Sequence, residues 1–289
     1  MKMINAIEIK KLIKKYPGFT LGEIDLDIPQ GIIAGLIGEN GAGKTTLIKS
    51  ILDVVKKDQG EVFVLGRELA FSKEEIGVVF DNSFFPEILT PANIDSVMKN
   101  VYRNWDSPLF YRYLDSFSIK KDQNLKTMSK GMRKKVEIAT ALSHHPKLLI
   151  LDEPTSSLDP IVRNEVLDIF LNFIQDEEHT VLLSSHITSD LEHIADQIIF
   201  IDKGKVILNK ERNDIFDSYG ILRCSEEDFN RIDPNDILAY KKNRYEYDVL
   251  VTDIEACKKK YENSIIDKIT LEDLMLIMVK GERNNAGND

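Results

Sequence analysis

The sequence predicts an α/β protein with a parallel sheet covered on both faces by helices. An antiparallel β subdomain, an inserted helical subdomain and a small C-terminal α+β extension complete it. Three observations carry this. The runs Ile32–Ile37, Lys147–Leu151, Thr180–Leu183 and Gln197–Ile201 are almost continuously apolar and are separated by helical patterns, as strands buried on both faces are. Leu21–Ile28 instead alternates apolar and polar residues, as a half-exposed strand does. Between the first apolar run and a helical pattern lies Gly38-Glu39-Asn40-Gly41-Ala42-Gly43-Lys44-Thr45, which matches GxxxxGK[ST].

In chain order, Ala6–Ile9 and Leu21–Ile28 are strands joined through a turn at Tyr16-Pro17-Gly18. Pro29-Gln30-Gly31 turns into the strand before the glycine loop. The helix that follows carries Thr46, Leu47, Ile48, Ile51 and Leu52. Glu61–Leu65 and Ile76–Phe80 are further strands. From about 83 to 142 the pattern is mostly helical and rich in aromatic residues, which suits an inserted helical subdomain with its own core. A helix from about Pro160 to Asp176 and a short one near Thr188–Ala195 separate the last buried strands, and Lys203-Gly204 turns into Lys205–Leu208. Residues 1–215 thus read as one domain. Residues 216–289 read as an extension with strands at Ile221–Arg223, Ile237–Tyr240 and Tyr245–Thr252, a helix at Leu271–Lys280 and a frayed polar tail from Gly281.

The chain has 289 residues, 43% of them hydrophobic, enough for a large core. Its net charge of −10 argues against general affinity for nucleic acid. The two cysteines, Cys224 and Cys257, have neither metal-site nor disulfide-framework spacing, which suits a reducing cytoplasm. No signal peptide is evident, and no apolar run approaches the ~20 residues that cross a bilayer. If the protein works at a membrane, a partner chain must recruit it.

A glycine loop between strand and helix can direct backbone N–H groups at phosphates, aided by the positive end of the helix dipole. Lys44 is expected to reach the β- and γ-phosphates, and the Thr45 hydroxyl to ligate Mg²⁺. Asp152 and Glu153 end a buried strand. Downstream of such a loop, Asp152 is expected to hold Mg²⁺ and Glu153 to polarise the attacking water. His186 ends another buried strand after two serines. A neutral imidazole there can donate to the γ-phosphate, although a lone strand-end histidine also fits a structural role.

Together these motifs resemble the ATP-binding cassette (ABC) family of transporter ATPases, over roughly residues 4–215. The resemblance implies a P-loop NTPase (RecA-like) core, with GENGAGKT as Walker A, LLILDE as Walker B, Ser156–Pro160 as D-loop and His186 as switch histidine. It makes Tyr16 the aromatic that stacks on adenine. The family's LSGGQ signature stands here as Met128-Ser129-Lys130-Gly131-Met132. Ser129 and Gly131, at an expected helix start, keep the groups suited to a γ-phosphate, whereas Met132 offers no polar group to a ribose. Lys130 either adds charge complementarity or is a solvated lysine. Asp81 occupies the family's usual glutamine position and is expected to act on Mg²⁺ directly or through water.

In this family the Walker motifs of one chain face the signature of another. The resemblance therefore implies a homodimer or a paired ATPase subunit, with ATP and Mg²⁺ at the interface. It also implies an integral-membrane permease contacted near Ser83–Asn104, with Phe84, Phe85, Pro86 and Ile88 as the apolar contact. The protein would then be cytoplasmic, on the inner face of the membrane. Its size and appendage resemble exporter ATPases for phenol-soluble modulins and for bacitracin or lantibiotics. The alternatives are a non-transport ABC ATPase acting on ribosomes or DNA, and a nucleotide-sensing regulator without turnover. An intact Glu153 disfavours the regulator.

Overall fold

The computed structural model describes residues 4–156, 158–261 and 264–283. Strands β1 (Asn5–Tyr16) and β2 (Phe19–Pro29) form a long hairpin around Pro17-Gly18. Strand β3 (Ile33–Ile37) leads through the glycine loop into helix α1 (Lys44–Ile51). Strands β4 (Gln59–Val64) and β5 (Arg67–Glu68) pair onto β1, giving an antiparallel sheet of order β2-β1-β4-β5. Strand β6 (Ile76–Val79) then returns to the parallel sheet.

The helical subdomain comprises α2 (Pro91–Val101), α3 (Ser107–Ser116) and α4 (Lys130–Leu142). Each starts on a side-chain cap: Thr90, Asp106 and Ser129 accept from the backbone N–H groups of Asn93, Leu109 and Met132. Residues 83–90, inside the predicted helical stretch, are not helical. Proline at 86 and again at 91 keeps the residues before it out of the helical region. The subdomain has its own core, with Ile94, Phe110, Leu114 and Val136 at its centre.

Strand β7 (Leu148–Asp152), helix α5 (Pro160–Phe173), strand β8 (Thr180–Ser184), helix α6 (Thr188–Ile194) and strands β9 (Gln197–Asp202) and β10 (Lys205–Glu211) complete the main sheet. Its order is β10-β9-β3-β8-β7-β6, parallel from β9 to β6 with β10 antiparallel at the edge. The uniformly apolar strands alternate between two cores. Leu36, Ile150, Leu182 and Ile199 face α1 and the antiparallel sheet, while Ile37, Leu151, Leu183 and Phe200 face α5 and α6.

Helix α7 (Arg212–Ser218) and strand β11 (Gly220–Cys224) open the extension. It continues through α8 (Glu226–Phe229), β12 (Ala239–Lys242), β13 (Tyr247–Val251), α9 (Ile254–Lys260), β14 (Ile265–Lys268), α10 (Leu271–Lys280) and β15 (Glu282–Arg283). The strands form a sheet of order β14-β11-β13-β12-β15. Ile215, Leu271, Leu274 and Ile277 bury into the same core as Leu191 and Ile194 of α6. The carboxylate of Glu192, also on α6, accepts the Leu271 N–H at 2.6 Å, so the main domain caps the extension's last helix. Residues 284–289 of the expected frayed tail lie outside the described residues.

Candidate nucleotide site

The site forms where β3, β7 and β8 end side by side. Gly41 and Gly43 take positive φ angles of 84° and 118°, a conformation that glycine adopts at little cost. A Cβ at Gly43 would also meet Phe19 and Leu21 at 3.1 Å, so the β1–β2 hairpin packs directly over the loop. That hairpin carries Tyr16 at its tip, exposed, with the Lys14 ammonium 5.5 Å from its ring. Gly38, Ala42, Gly43 and Lys44 are buried, whereas Glu39, Asn40, Gly41 and Thr45 are exposed and Thr46 is half-buried.

The Lys44 ammonium donates to the Gly38 and Glu39 carbonyls at 2.8 and 3.4 Å and lies 3.5 Å from Glu153 Oε1. The Thr45 hydroxyl donates to Asp152 Oδ2 at 2.8 Å, and the Ser184 hydroxyl donates to Asp152 Oδ1 at 2.6 Å. Both oxygens of this buried carboxylate are therefore satisfied, with one turned to Thr45. A hydroxyl and a carboxylate converging here are the hard oxygen donors that Mg²⁺ takes, with water and phosphate oxygens as its other ligands. The residues fit the ion.

Glu153 adopts φ 51°, sparsely populated for a non-glycine residue. It is held from three sides. Its N–H donates to the Ser184 carbonyl at 3.1 Å, its Oε2 accepts from His186 Nδ1 at 2.7 Å, and the His186 N–H donates to the same oxygen at 3.3 Å. Its buried Oε1 accepts no hydrogen bond, and it points toward the loop lysine. An ionised carboxylate only accepts, so Nδ1 of His186 carries the proton here. A neutral ring then has a lone pair on Nε2. A neutral ring paired with an ionised Glu153 in this way cannot also donate from Nε2. His186 donates through Nε2 only as imidazolium, or after leaving Glu153.

Below this turn, the Thr155 hydroxyl donates to Asp190 Oδ2 at 2.7 Å, both groups buried. Arg163 reaches Asp190 Oδ1 at 4.0 Å and the Leu158 carbonyl at 3.4 Å. The network joins the Glu153 turn to α6, which follows His186. The expected D-loop spans it, with Ser157 outside the described residues.

Ser129 and Gly131 lie elsewhere. Ser129 caps α4, accepting from the Met132 N–H at 3.2 Å, so its own hydroxyl proton stays free to donate to an anion. A Cβ on Gly131 would meet Leu158 at 3.2 Å, which places the signature against the D-loop. Among the described residues, no hydrogen bond or ion pair joins Ser129, Lys130 or Gly131 to the Lys44–Thr45 loop. Nor does the Asp81 carboxylate make one to any described group. It is exposed, and the Lys134 ammonium holds the backbone on either side by bonding the Phe80 and Asp81 carbonyls at 2.5 and 3.0 Å. The sequence reading missed Ser184, Thr155, Asp190 and Arg163. The signal for Ser184 was a serine pair closing an otherwise apolar strand.

A glycine loop on a parallel sheet, a loop lysine, a paired hydroxyl and carboxylate, and a second carboxylate beside a histidine define a P-loop nucleotide-hydrolysing protein. The sequence profile of the ABC transporter family matches residues 21–156. A lantibiotic transport ATP-binding protein, SrtF of Streptococcus pyogenes, is 37% identical over 212 residues, 71% of this chain and 90% of that one. The daunorubicin/doxorubicin resistance ATP-binding protein DrrA of Streptomyces peucetius is 33% identical over 235 residues, 77% of this chain and 71% of its own. A solved ATP-binding subunit of an ABC transporter superposes with a TM-score of 0.66 at 27% identity, covering 73% of this chain and 91% of the other. The chain belongs to the ABC transporter family and is an ATP-binding, ATP-hydrolysing subunit. No described helix is long and apolar enough to cross a membrane.

Proposed function

We propose that this chain powers an exporter of peptides or antimicrobial compounds, from the cytoplasmic face of the membrane, as a dimer bound to an integral-membrane permease. The observation that carries the reading is the split of the site. Lys44, Thr45, Asp152, Glu153 and His186 converge at one sheet end, while the anion-ready Ser129 caps a helix with no bond to that loop. A second copy supplying Ser129 and Gly131 completes each nucleotide site. The similarity to SrtF and DrrA, named for lantibiotic transport and drug resistance, supports the direction and substrate class.

Within the site, residues 38–46 cradle the triphosphate and Tyr16 stacks on the base. Lys44 leaves the Gly38 carbonyl for the phosphates. Thr45 and Asp152 would hold Mg²⁺, with Asp81 acting on it directly or through water, and a bound ion would supply neutralisation of phosphate charge there. Glu153, relieved of Lys44, orients and polarises the attacking water, and His186 holds the carboxylate in place. Closure over ATP and opening after hydrolysis drive the permease through the segment after Asp81, where Phe84 and Ile88 are exposed. Residues 216–289 form an accessory unit.

The test is purification of the tagged chain from detergent-solubilised membranes. Co-purification of a hydrophobic multi-span protein supports transport. Bound RNA or DNA with no membrane protein would replace this reading with a ribosome- or DNA-directed ATPase.

A further inference from the structure

We infer that Asp58 and Lys14 are positioning residues for the nucleotide base: Asp58 fixes the end of β1, and Lys14 backs the Tyr16 ring so that the base stacks on the ring's other face. This rests on the stacking role proposed above for Tyr16 and specifies what holds that ring.

Tyr16 is 40% exposed at the hairpin tip, and the strand ladder leading to it is irregular. The pairing of β1 with β2 shifts between Ile9 and Leu12 and again between Leu12 and Lys14. On the other flank, the pairing with β4 shifts between Lys10 and Ile13 and ends at Ile13 and Gln59. Yet the tip lies over the phosphate loop. Tyr16 pairs with Phe19, whose ring would meet a Cβ on Gly43 at 3.1 Å. A ring in that place serves a base best when it is fixed beforehand, because ordering it on binding lowers affinity.

Asp58 supplies the fixing. It lies one residue past the last pair of β1 with β4, which sets it opposite Lys14. Its N–H donates to the Ile13 carbonyl at 2.8 Å, its Oδ1 accepts from the Lys14 ammonium at 3.1 Å, and its Oδ2 accepts from the Lys15 N–H at 2.6 Å. Three consecutive residues before Tyr16 are thus tied to one aspartate. The Lys15 N–H and the Lys14 ammonium hold the Asp58 carboxyl below its ordinary range, so it stays ionised. Asp58 also follows α1, which begins at Lys44, so one stretch of chain serves both the phosphates and the base.

Lys14 carries the tie to the ring. Its side chain is only 16% exposed, and its ammonium, bound to Asp58, lies 5.5 Å from the centre of the Tyr16 ring. A cation over one face of an aromatic ring is attracted by its π electrons and occupies that face. A base, itself a flat π system, then takes the opposite face. A solvated surface ion pair alone would stabilise the fold little. Here the cation is shared between the carboxylate and the ring, which couples the pair to the base site.

The experiment measures kcat and KM for ATP in the full chain, with melting temperatures as the check on folding. The variants are Tyr16→Leu, Asp58→Ala, Lys14→Met, Lys14→Arg and the combination of Tyr16→Leu with Asp58→Ala. Tyr16→Leu should raise KM about ten-fold, the size of a lost base–aromatic stack. Asp58→Ala and Lys14→Met should each raise it about three-fold or more with kcat little changed, whereas Lys14→Arg should keep the wild-type value. On the Tyr16→Leu background, Asp58→Ala should add no further increase. A wild-type KM in Asp58→Ala or Lys14→Met overturns the positioning role and leaves the stacking reading standing. So does a Lys14→Arg value as high as that of Lys14→Met, or an undiminished effect of Asp58→Ala in the absence of the Tyr16 ring. An unchanged KM in Tyr16→Leu overturns both.

Discussion

Replacing Thr155 by valine keeps the volume of a fully buried side chain and removes one proton donor. In the native protein that donor meets Asp190 Oδ2 at 2.7 Å. Without it, the buried carboxylate has Arg163 at 4.0 Å as its remaining ionic neighbour. A hydrogen bond to a charged group contributes about 1.5–3 kcal/mol, and a buried acceptor left without its donor incurs a penalty of similar size. The expected loss of stability in urea unfolding is therefore about 2–3 kcal/mol. For a chain of 289 residues, average unfolding entropies convert this to a melting temperature about 4 °C lower. Thr155 lies two residues after Glu153, which takes φ 51°, so kcat for ATP should fall while KM for ATP changes little. Asp190→Asn should be coupled to Thr155→Val by about 1 kcal/mol or more in a double-mutant cycle. A loss under about 0.5 kcal/mol, or strict additivity, would refute the view that this pair anchors the catalytic turn.

Other outcomes follow from the same geometry. Asp81→Gln should shift the Mg²⁺ concentration giving half-maximal ATPase activity, and an unchanged value would remove Asp81 from the metal's surroundings. Burial depresses the His144 pKa, so the unfolded chain takes up this proton first as pH falls. Stability from this group is complete above the unfolded value near 6.5 and declines as pH drops toward the lower folded value. His144→Gln should flatten the pH dependence of unfolding between about 7 and 5, and an unchanged profile would contradict the assignment. Burial pushes the Cys224 thiol up to about 11 and raises that of Cys257. Both should resist a thiol reagent in the folded protein and react on unfolding, and fast native labelling would refute this.

What was legible in the sequence had a local pattern. The glycine loop, its strand and its helix are contiguous, so their chemistry could be read directly. The buried strands announced themselves by uniform hydrophobicity. Strand β1 was legible only as Ala6–Ile9, because register shifts between Ile9 and Leu12 and again between Leu12 and Lys14 break its alternation, and Lys11 takes φ 50°. The meeting of Glu153 with His186 could be expected only from the resemblance, since 33 residues separate them and no period links them. Thr155 and Asp190 were invisible for the same reason: a threonine in a turn and an aspartate on a short helix are ordinary until the fold buries them together. Nor does any sequence pattern announce that Glu192 caps α10 and ties the extension to α6.

If one chain's Lys44 and Glu153 act with another chain's Ser129, two disabled proteins should rescue each other when mixed. Glu153→Gln alone and Ser129→Ala alone should each hydrolyse ATP very slowly. In their mixed dimer, the Walker side of the Ser129→Ala chain faces the intact signature of the Glu153→Gln chain, which restores one complete site. With random pairing in a two-fold dimer, the mixture should recover about a quarter of wild-type ATPase activity. Activity no higher than the average of the two separate variants would contradict a site shared between two copies.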